Sequence, residues 1–115
     1  MANTIKATVN RIEKDENETV LRNVDTSFLE SFTASTGCNK FTLEANSVFK
    51  TIDFGQVTTA QLVLITSDET LKLKLNGGTE ELDGKSFLWI GDITQIDVKN
   101  ESDNDSKINY EVYGS

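Results

Sequence analysis

The stretch Thr70-Leu71-Lys72-Leu73-Lys74-Leu75 decides the fold class of this chain, because apolar and polar residues alternate in it one by one. Successive side chains of a β-strand point to opposite sides of the sheet, so the alternation predicts a strand with a leucine face and a lysine face. The same period of two recurs in Ile96-Asp97-Val98-Lys99 and Ile108-Asn109-Tyr110-Glu111-Val112. Several such strands between turn-rich stretches predict an all-β fold, an antiparallel two-sheet β-sandwich with jelly-roll-like or immunoglobulin-like connections.

The remaining segments extend this prediction to one domain over residues 1–115, with about eight to ten strands and no long helix. Asn76-Gly77-Gly78 supplies a tight hairpin turn, and Ser67-Asp68-Glu69 predicts a turn between two separate strands. Residues 25–32 fit either a capped helical turn or a strand, and the sequence favours the strand.

The charge and the cysteine content limit the classes of partner and the compartment. The formal net charge is −8, which repels nucleic-acid phosphates and anionic lipid headgroups, so we expect no nucleic-acid or membrane partner. Cys38 is the single cysteine, so no intrachain disulfide forms, and the N-terminus shows no signal-peptide pattern. Both features favour synthesis in a cytoplasm.

The sequence offers little for catalysis, cofactors or metal binding. It contains no histidine, which removes the commonest general base and metal ligand, and it leaves Cys38 without a base to activate it. Asp103 and Asp105, with Asn100 and Asn104, supply oxygen ligands for a hard cation, but the EF-hand spacing fails, which favours a hydrophilic loop. We therefore expect no enzyme activity, no catalytic residues, no cofactor and no metal.

Two predicted strands, Gln61–Thr66 and Phe87–Ile90, are apolar on both faces. A two-layer sandwich buries only one face of each sheet against the other, so a further layer must cover the second face. The simplest cover is another copy of the chain, and residues 1–12, with the strand Thr4–Asn10, are a candidate for exchange between subunits. The candidate interface residues are Ile5, Ala7, Val9, Val63, Ile65, Phe87 and Trp89.

The order of segments from Phe54 to Tyr113, about half of the chain, resembles small virion structural proteins of tailed bacteriophages. A strand that ends in an acidic turn precedes Leu73-Lys74-Leu75-Asn76-Gly77, and Val98-Lys99-Asn100-Glu101-Ser102 precedes the last strand. The resemblance implies a structural protein of a virion, made in the host cytoplasm and placed on the capsid or in the tail. It would form homo-oligomers and dock on other virion proteins.

Two alternatives remain open beside this hypothesis. A carbohydrate-binding β-sandwich predicts that Trp89, Tyr110 or Tyr113 lines a groove, although the apolar neighbours of Trp89 favour a core position for it. A small β-sandwich enzyme predicts clustered acids with raised pKa values in a cleft.

Overall fold

The structure is a computed structural model that describes residues 3–115, and every element in that range is a β-strand. The predicted all-β fold is confirmed. The predicted exchange segment 1–12 falls on the first strand, apart from residues 1 and 2, which lie outside the described residues. Within the described range no helix is long and apolar enough to cross a membrane. The strands are β1 (Asn3–Lys14), β2 (Val20–Phe32), β3 (Ala34–Ser35), β4 (Asn39–Leu43), β5 (Lys50–Thr51), β6 (Ala60–Leu75), β7 (Leu82–Ile93), β8 (Ile96–Asn100) and β9 (Ser106–Gly114).

The strands form two antiparallel sheets, a two-stranded sheet of β1 and β2 and a seven-stranded sheet built around β6. Along one side of β6 runs β7; on the other side β9 pairs with residues 60–67 and β8 pairs with residues 71–75. The outer edge of β9 pairs with β3 and β4, and the outer edge of β8 pairs with β5. One hydrophobic core joins residues of the part of this sheet that contains β9 with residues of the part that contains β8, which makes the fold sandwich-like.

The predicted turn at Ser67-Asp68-Glu69 is wrong, because β6 continues through these residues as one strand of 16 residues with an irregularity in its pairing. The carboxylate of Asp68 accepts hydrogen bonds from the backbone N–H of Lys107 at 2.8 Å and from Ser106 Oγ at 3.1 Å. The hydrogen bond from Lys107 is the main cause that lowers the pKa of Asp68. The start of β9 therefore holds the irregular segment, a long-range contact that local sequence does not reveal.

The alternating segments bury the residues that their period predicts. Leu71, Leu73, Ile96 and Val98 are at most 1% exposed, and the lysines between the leucines point away from the core. Burying one such aliphatic side chain contributes roughly 1.5–3 kcal/mol. The period of two thus accounts for the centre of the core.

The β1–β2 hairpin, called the arm here, pairs from Asn3 with Phe32 to Lys14 with Val20 and makes no ladder with the larger sheet within the described residues. At its turn, Asp15 Oδ1 accepts hydrogen bonds from the backbone N–H groups of Asn17 and Thr19, both at 2.9 Å. The strand favoured over a helical turn for residues 25–32 is confirmed, since they belong to β2. The arm is thus a separate unit of structure at the N-terminal end of the chain.

Candidate docking surface on the arm and the sheet beneath it

The inner face of the arm near its base carries the apolar side chains of Ile5, Ala7 and Phe28 and one charged residue, Glu30. Ile5 and Ala7 are half-buried and pair across the arm with Glu30 and Phe28, so these side chains lie on one face. Val9 continues this face and is 37% exposed. The alternation of β1 accounts for the arrangement, because every second residue of a strand points the same way.

The arm lies over a face of the large sheet that does not belong to the core. Leu62 and Leu64 of β6, Leu88 of β7 and Tyr113 of β9 form this surface, called the covered face here. The ring of Phe32 in β2 packs edge-on against Tyr113, with ring centroids 5.0 Å apart. Leu62 is only 2% exposed although it stands outside the core cluster, so a second layer does cover this side of β6.

A groove of about 380 Å³ remains between the arm and the covered face. From the arm it is lined by residues 5–9, of which Ile5, Ala7 and Val9 are apolar; the sheet contributes Leu62, Leu64 and Leu88 together with Glu111 and Tyr113. Apart from Leu62, the apolar side chains that line the groove are not fully buried. The sequence favours another copy as the cover of the second apolar face; in the single chain, its own arm covers part of that face.

The outer half of the arm, residues 10–24 and called the tip here, overhangs the sheet. Ile12, Val20 and Leu21 are 51%, 53% and 60% exposed. The radius of gyration of the Cα atoms is 15.8 Å, whereas size scaling gives about 13 Å for a compact chain of this length. The tip therefore presents apolar side chains that the rest of the described chain does not cover.

Polar groups close one end of the groove around Glu111. Its Oε1 accepts hydrogen bonds from Tyr113 Oη at 2.8 Å and from Cys38 Sγ at 3.2 Å. Burial, followed by the hydrogen bond to Glu111, raises the pKa of Tyr113 to about 12, and the hydrogen bond to Glu111 raises the pKa of the Cys38 thiol. The neutral thiol is the less reactive form, so the hydrogen bond to Glu111 does not activate Cys38 as a nucleophile.

The structure divides the predicted interface residues into three groups. Ile5, Ala7 and Val9 lie together on the arm, as described above. Val63 and Ile65 are 2% and 1% exposed and belong to the core cluster, so neither is available at the surface of one chain. Phe87 packs partly buried against the core, and Trp89 is 38% exposed on β7.

Trp89 lies beside a cleft of about 440 Å³, whose other lining residues belong to the segment 75–82. The core position that the sequence favours for this side chain is wrong, because β7 pairs only with β6 and its outer edge has no strand beside it in the described chain. Tyr110 lies in the core with its hydroxyl donating to the Asp53 carbonyl, and Tyr113 lies under the arm. The three aromatic residues therefore do not line a common groove.

The loop considered for a cation is held by hydrogen bonds within the protein. Asn100 is fully buried; its Nδ2 donates to the carbonyls of Leu43 at 3.2 Å and Asn104 at 2.8 Å, and its Oδ1 accepts from Ser102 N at 3.0 Å. Asp105 accepts a hydrogen bond from the backbone N–H of Ala45 at 3.0 Å. Residues 3–115 contain no cluster of three side chains suited to a metal ion.

Sequence reasoning missed the apolar residues of the tip. Ile12, Val20 and Leu21 flank the polar run Glu13–Glu18, whose charges predict a solvated loop, although β1 continues to Lys14 in the structure. Their signal was present in the sequence: apolar residues on both sides of a polar turn also fit the two strands of a projecting hairpin.

Comparison with family models, curated proteins and solved structures finds no match for this chain.

Proposed function

We propose that this chain is a non-enzymatic structural subunit that associates with itself and docks on other proteins through its N-terminal arm. The observation that supports the proposal is the overhanging tip with its exposed Ile12, Val20 and Leu21. Exposed apolar groups gathered on one projecting element are typical of protein–protein contact sites. The candidate interface residues Ile5, Ala7 and Val9 lie on the same element.

The dimensions of the arm support a role in assembly. β1 has 12 residues and β2 has 13, and a strand of that length extends about 40 Å. A two-stranded hairpin without a supporting layer is marginally stable in water. The base of the arm has such a layer in the covered face, whereas the tip has none within the described chain, so a second molecule would stabilise the tip by covering it.

The resemblance of residues 54–113 to virion proteins of tailed bacteriophages supplies the biological setting of the proposal. In that setting the chain is made in the host cytoplasm and joins the capsid surface or the tail, where its partners are further copies and other virion proteins. This setting rests on the sequence resemblance alone.

Light scattering of the purified chain over a range of concentrations tests the self-association. We expect the mass to rise above that of one chain, and we expect the variant Ile12→Ser with Leu21→Ser to shift this rise to higher concentration. Val48→Ser is the matched control, because Val48 is 81% exposed but lies outside the arm. A wild-type mass of one chain at every concentration would contradict the proposal.

A carbohydrate-binding module is the second candidate, favoured by the exposed Trp89 beside its cleft. Trp89 is the only tryptophan, so its emission reports directly on a sugar ring that stacks against it. A saturable emission shift with one polysaccharide of a panel, absent in Trp89→Ala, would support this candidate. An unchanged emission across the panel would dismiss it.

A further inference from the structure

We propose that the groove between the arm and the covered face binds a small amphiphile that carries a protonated amine. The apolar part of this ligand lies under the arm, and its ammonium group lies against the carboxylate of Glu111 at the polar end of the groove. The inference does not depend on the self-association proposed above, because it concerns the base of the arm and not the tip.

The strand pairing arranges the sheet under the arm in rows of side chains that run across β9, β6 and β7. Directly paired residues of antiparallel strands project to the same side of a sheet. The rows are Tyr113 with Leu62 and Ile90, Glu111 with Leu64 and Leu88, and Asn109 with Thr66 and Ser86. The surface therefore changes from apolar to polar along the strands, and the row that contains Glu111 forms the boundary.

The volume and the lining of the groove suit a small molecule with one apolar and one polar end. The groove holds about 380 Å³ and continues past Glu111 into a polar pocket of about 210 Å³; Leu64 and Glu111 line both. Small-molecule sites in proteins have volumes of about 300–1,000 Å³ and combine an apolar lining with a few polar groups. An aliphatic chain fits the first part, and a charged head group fits the boundary.

The carboxylate of Glu111 determines the charge that this head group must carry. Glu111 is half-buried and takes part in none of the ion pairs formed among residues 3–115. Its two hydrogen bonds come from the neutral groups Tyr113 Oη and Cys38 Sγ, and both are accepted by Oε1. Oε2 is thus left to accept a hydrogen bond from an ammonium group, and such charge-assisted bonds are the stronger ones.

The two lysines near the groove do not cancel this negative charge. Lys6 alternates along β1 with the residues that face the sheet, so its side chain points to the other face of the arm. Lys40 lines the polar pocket, yet its lowering of the pKa of the Cys38 thiol is the smallest of the causes, whereas Glu111 supplies the two largest, which raise that pKa. The end of the groove therefore favours a cation, as does the net charge of −8.

NMR titration of the leucine methyl groups measures the affinity of the ligand and locates it. The probes are octylammonium, octanol and octanoate at neutral pH, which share an alkyl chain and differ in charge. We expect saturable shifts of the Leu64 and Leu88 methyl groups with octylammonium, a weaker affinity for octanol and no saturable binding of octanoate. The absence of saturable shifts with octylammonium, or an equal affinity for octanoate, would overturn the proposal. Shifts at Leu75 and Leu82, which line the cleft beside Trp89, in place of those in the groove would also overturn it.

Two variants and a control separate the charge of the site from its shape. Glu111→Gln keeps the acceptor for Tyr113 and Cys38 but removes the charge, so the affinity for octylammonium should fall by about fivefold or more while that for octanol stays the same. Lys40→Gln is the matched control, and we expect it not to weaken the binding of octylammonium. An unchanged affinity in Glu111→Gln would overturn the assignment.

Ala7→Leu keeps the test decisive if the substitution at Glu111 prevents folding. The larger side chain fills part of the groove from the arm, where Ala7 is half-buried. We expect it to weaken the binding of octylammonium and octanol alike. Unchanged affinities for both probes would show that they do not bind in the groove and would overturn the proposal.

Discussion

Replacing Asn100 by alanine should destabilise the fold more than any substitution in the surrounding loops. The side chain is fully buried and makes three hydrogen bonds, two through Nδ2 to the carbonyls of Leu43 and Asn104 and one through Oδ1 from Ser102 N. These bonds join the end of β4, the end of β8 and the loop before β9. Alanine would leave all three backbone groups without this partner.

The loss in the free energy of unfolding depends on how deeply the three backbone groups that lose their partner are buried. The Leu43 carbonyl is buried, so losing its donor costs about 1–3 kcal/mol, whereas the two partly exposed groups cost about 1 kcal/mol each because water can replace part of the bond. The sum is about 3–5 kcal/mol. At this chain length about 4 °C of melting temperature corresponds to 1 kcal/mol, so we expect a decrease of roughly 12–20 °C.

Urea unfolding followed by the emission of Trp89 measures this loss directly. Asn104→Ala is the matched control, because Asn104 takes part in the network only through its backbone carbonyl and N–H. We expect the control to change the free energy of unfolding by less than about 0.5 kcal/mol. A loss below about 1 kcal/mol for Asn100→Ala would refute the account of this network.

Asn100→Asp adds a pH-dependent check on the same bonds. The introduced carboxylate can still accept the hydrogen bond from Ser102 N, but it cannot donate one to the Leu43 carbonyl. Burial also disfavours the charged form of the carboxylate. The pKa of the introduced acid should therefore be raised in the folded state above the unfolded value of about 3.9. The deficit relative to wild type should be smallest below that pH and should grow as the pH rises and the acid ionises.

Three further substitutions test other parts of the structure. Gly114→Ala should lower the free energy of unfolding, measured with urea, by about 3 kcal/mol. The reason is that the added Cβ would overlap the Thr59 carbonyl oxygen and lie 2.8 Å from the Ala60 Cα. A decrease of less than about 1 kcal/mol would contradict this close approach. The Asp68 carboxylate has a lowered pKa in the folded state, so its stabilisation should be present at neutral pH and lost as the pH falls below about 4. Asp68→Asn should make the acid unfolding profile shallower, and an unchanged profile would dismiss that role. Tyr113, with a pKa raised to about 12, should stabilise the fold below about pH 10 and lose this contribution as the pH rises towards 12. Tyr113→Phe should therefore remove this part of the decrease in the free energy of unfolding at alkaline pH. An equal decrease in both proteins would refute the role of Tyr113.

The local pattern of the sequence predicts the fold class and the centre of the core. The leucines of the stretch 70–75, with Ile96 and Val98, are buried as the period of two requires. The continuity of β6 through Asp68 was not predictable in this way, because its partners Ser106 and Lys107 lie almost 40 residues further along the chain. Local propensity marks Ser67-Asp68-Glu69 as a turn, and the long-range hydrogen bonds override it.

The candidate docking surface shows the same division between local and long-range information. The sequence predicts that β6 is apolar on both faces and that β1 has an apolar side, but not that the two meet. It also could not distinguish Val63 and Ile65 from Leu62, since all three are apolar and only the pairing of β6 decides which of them face the core. Likewise, Trp89 is exposed because β7 is an edge strand, a property of the topology.

Hydrogen exchange of the backbone amides in the tip, residues 10–24, measures whether a second copy covers the tip. At low concentration the unsupported tip should exchange rapidly, because a hairpin without a second layer opens readily. At concentrations where light scattering shows association, we expect slow exchange in the tip, since a second copy would cover Ile12, Val20 and Leu21. Equally rapid exchange of the tip at both concentrations, with the core amides of β6 protected throughout, would contradict it.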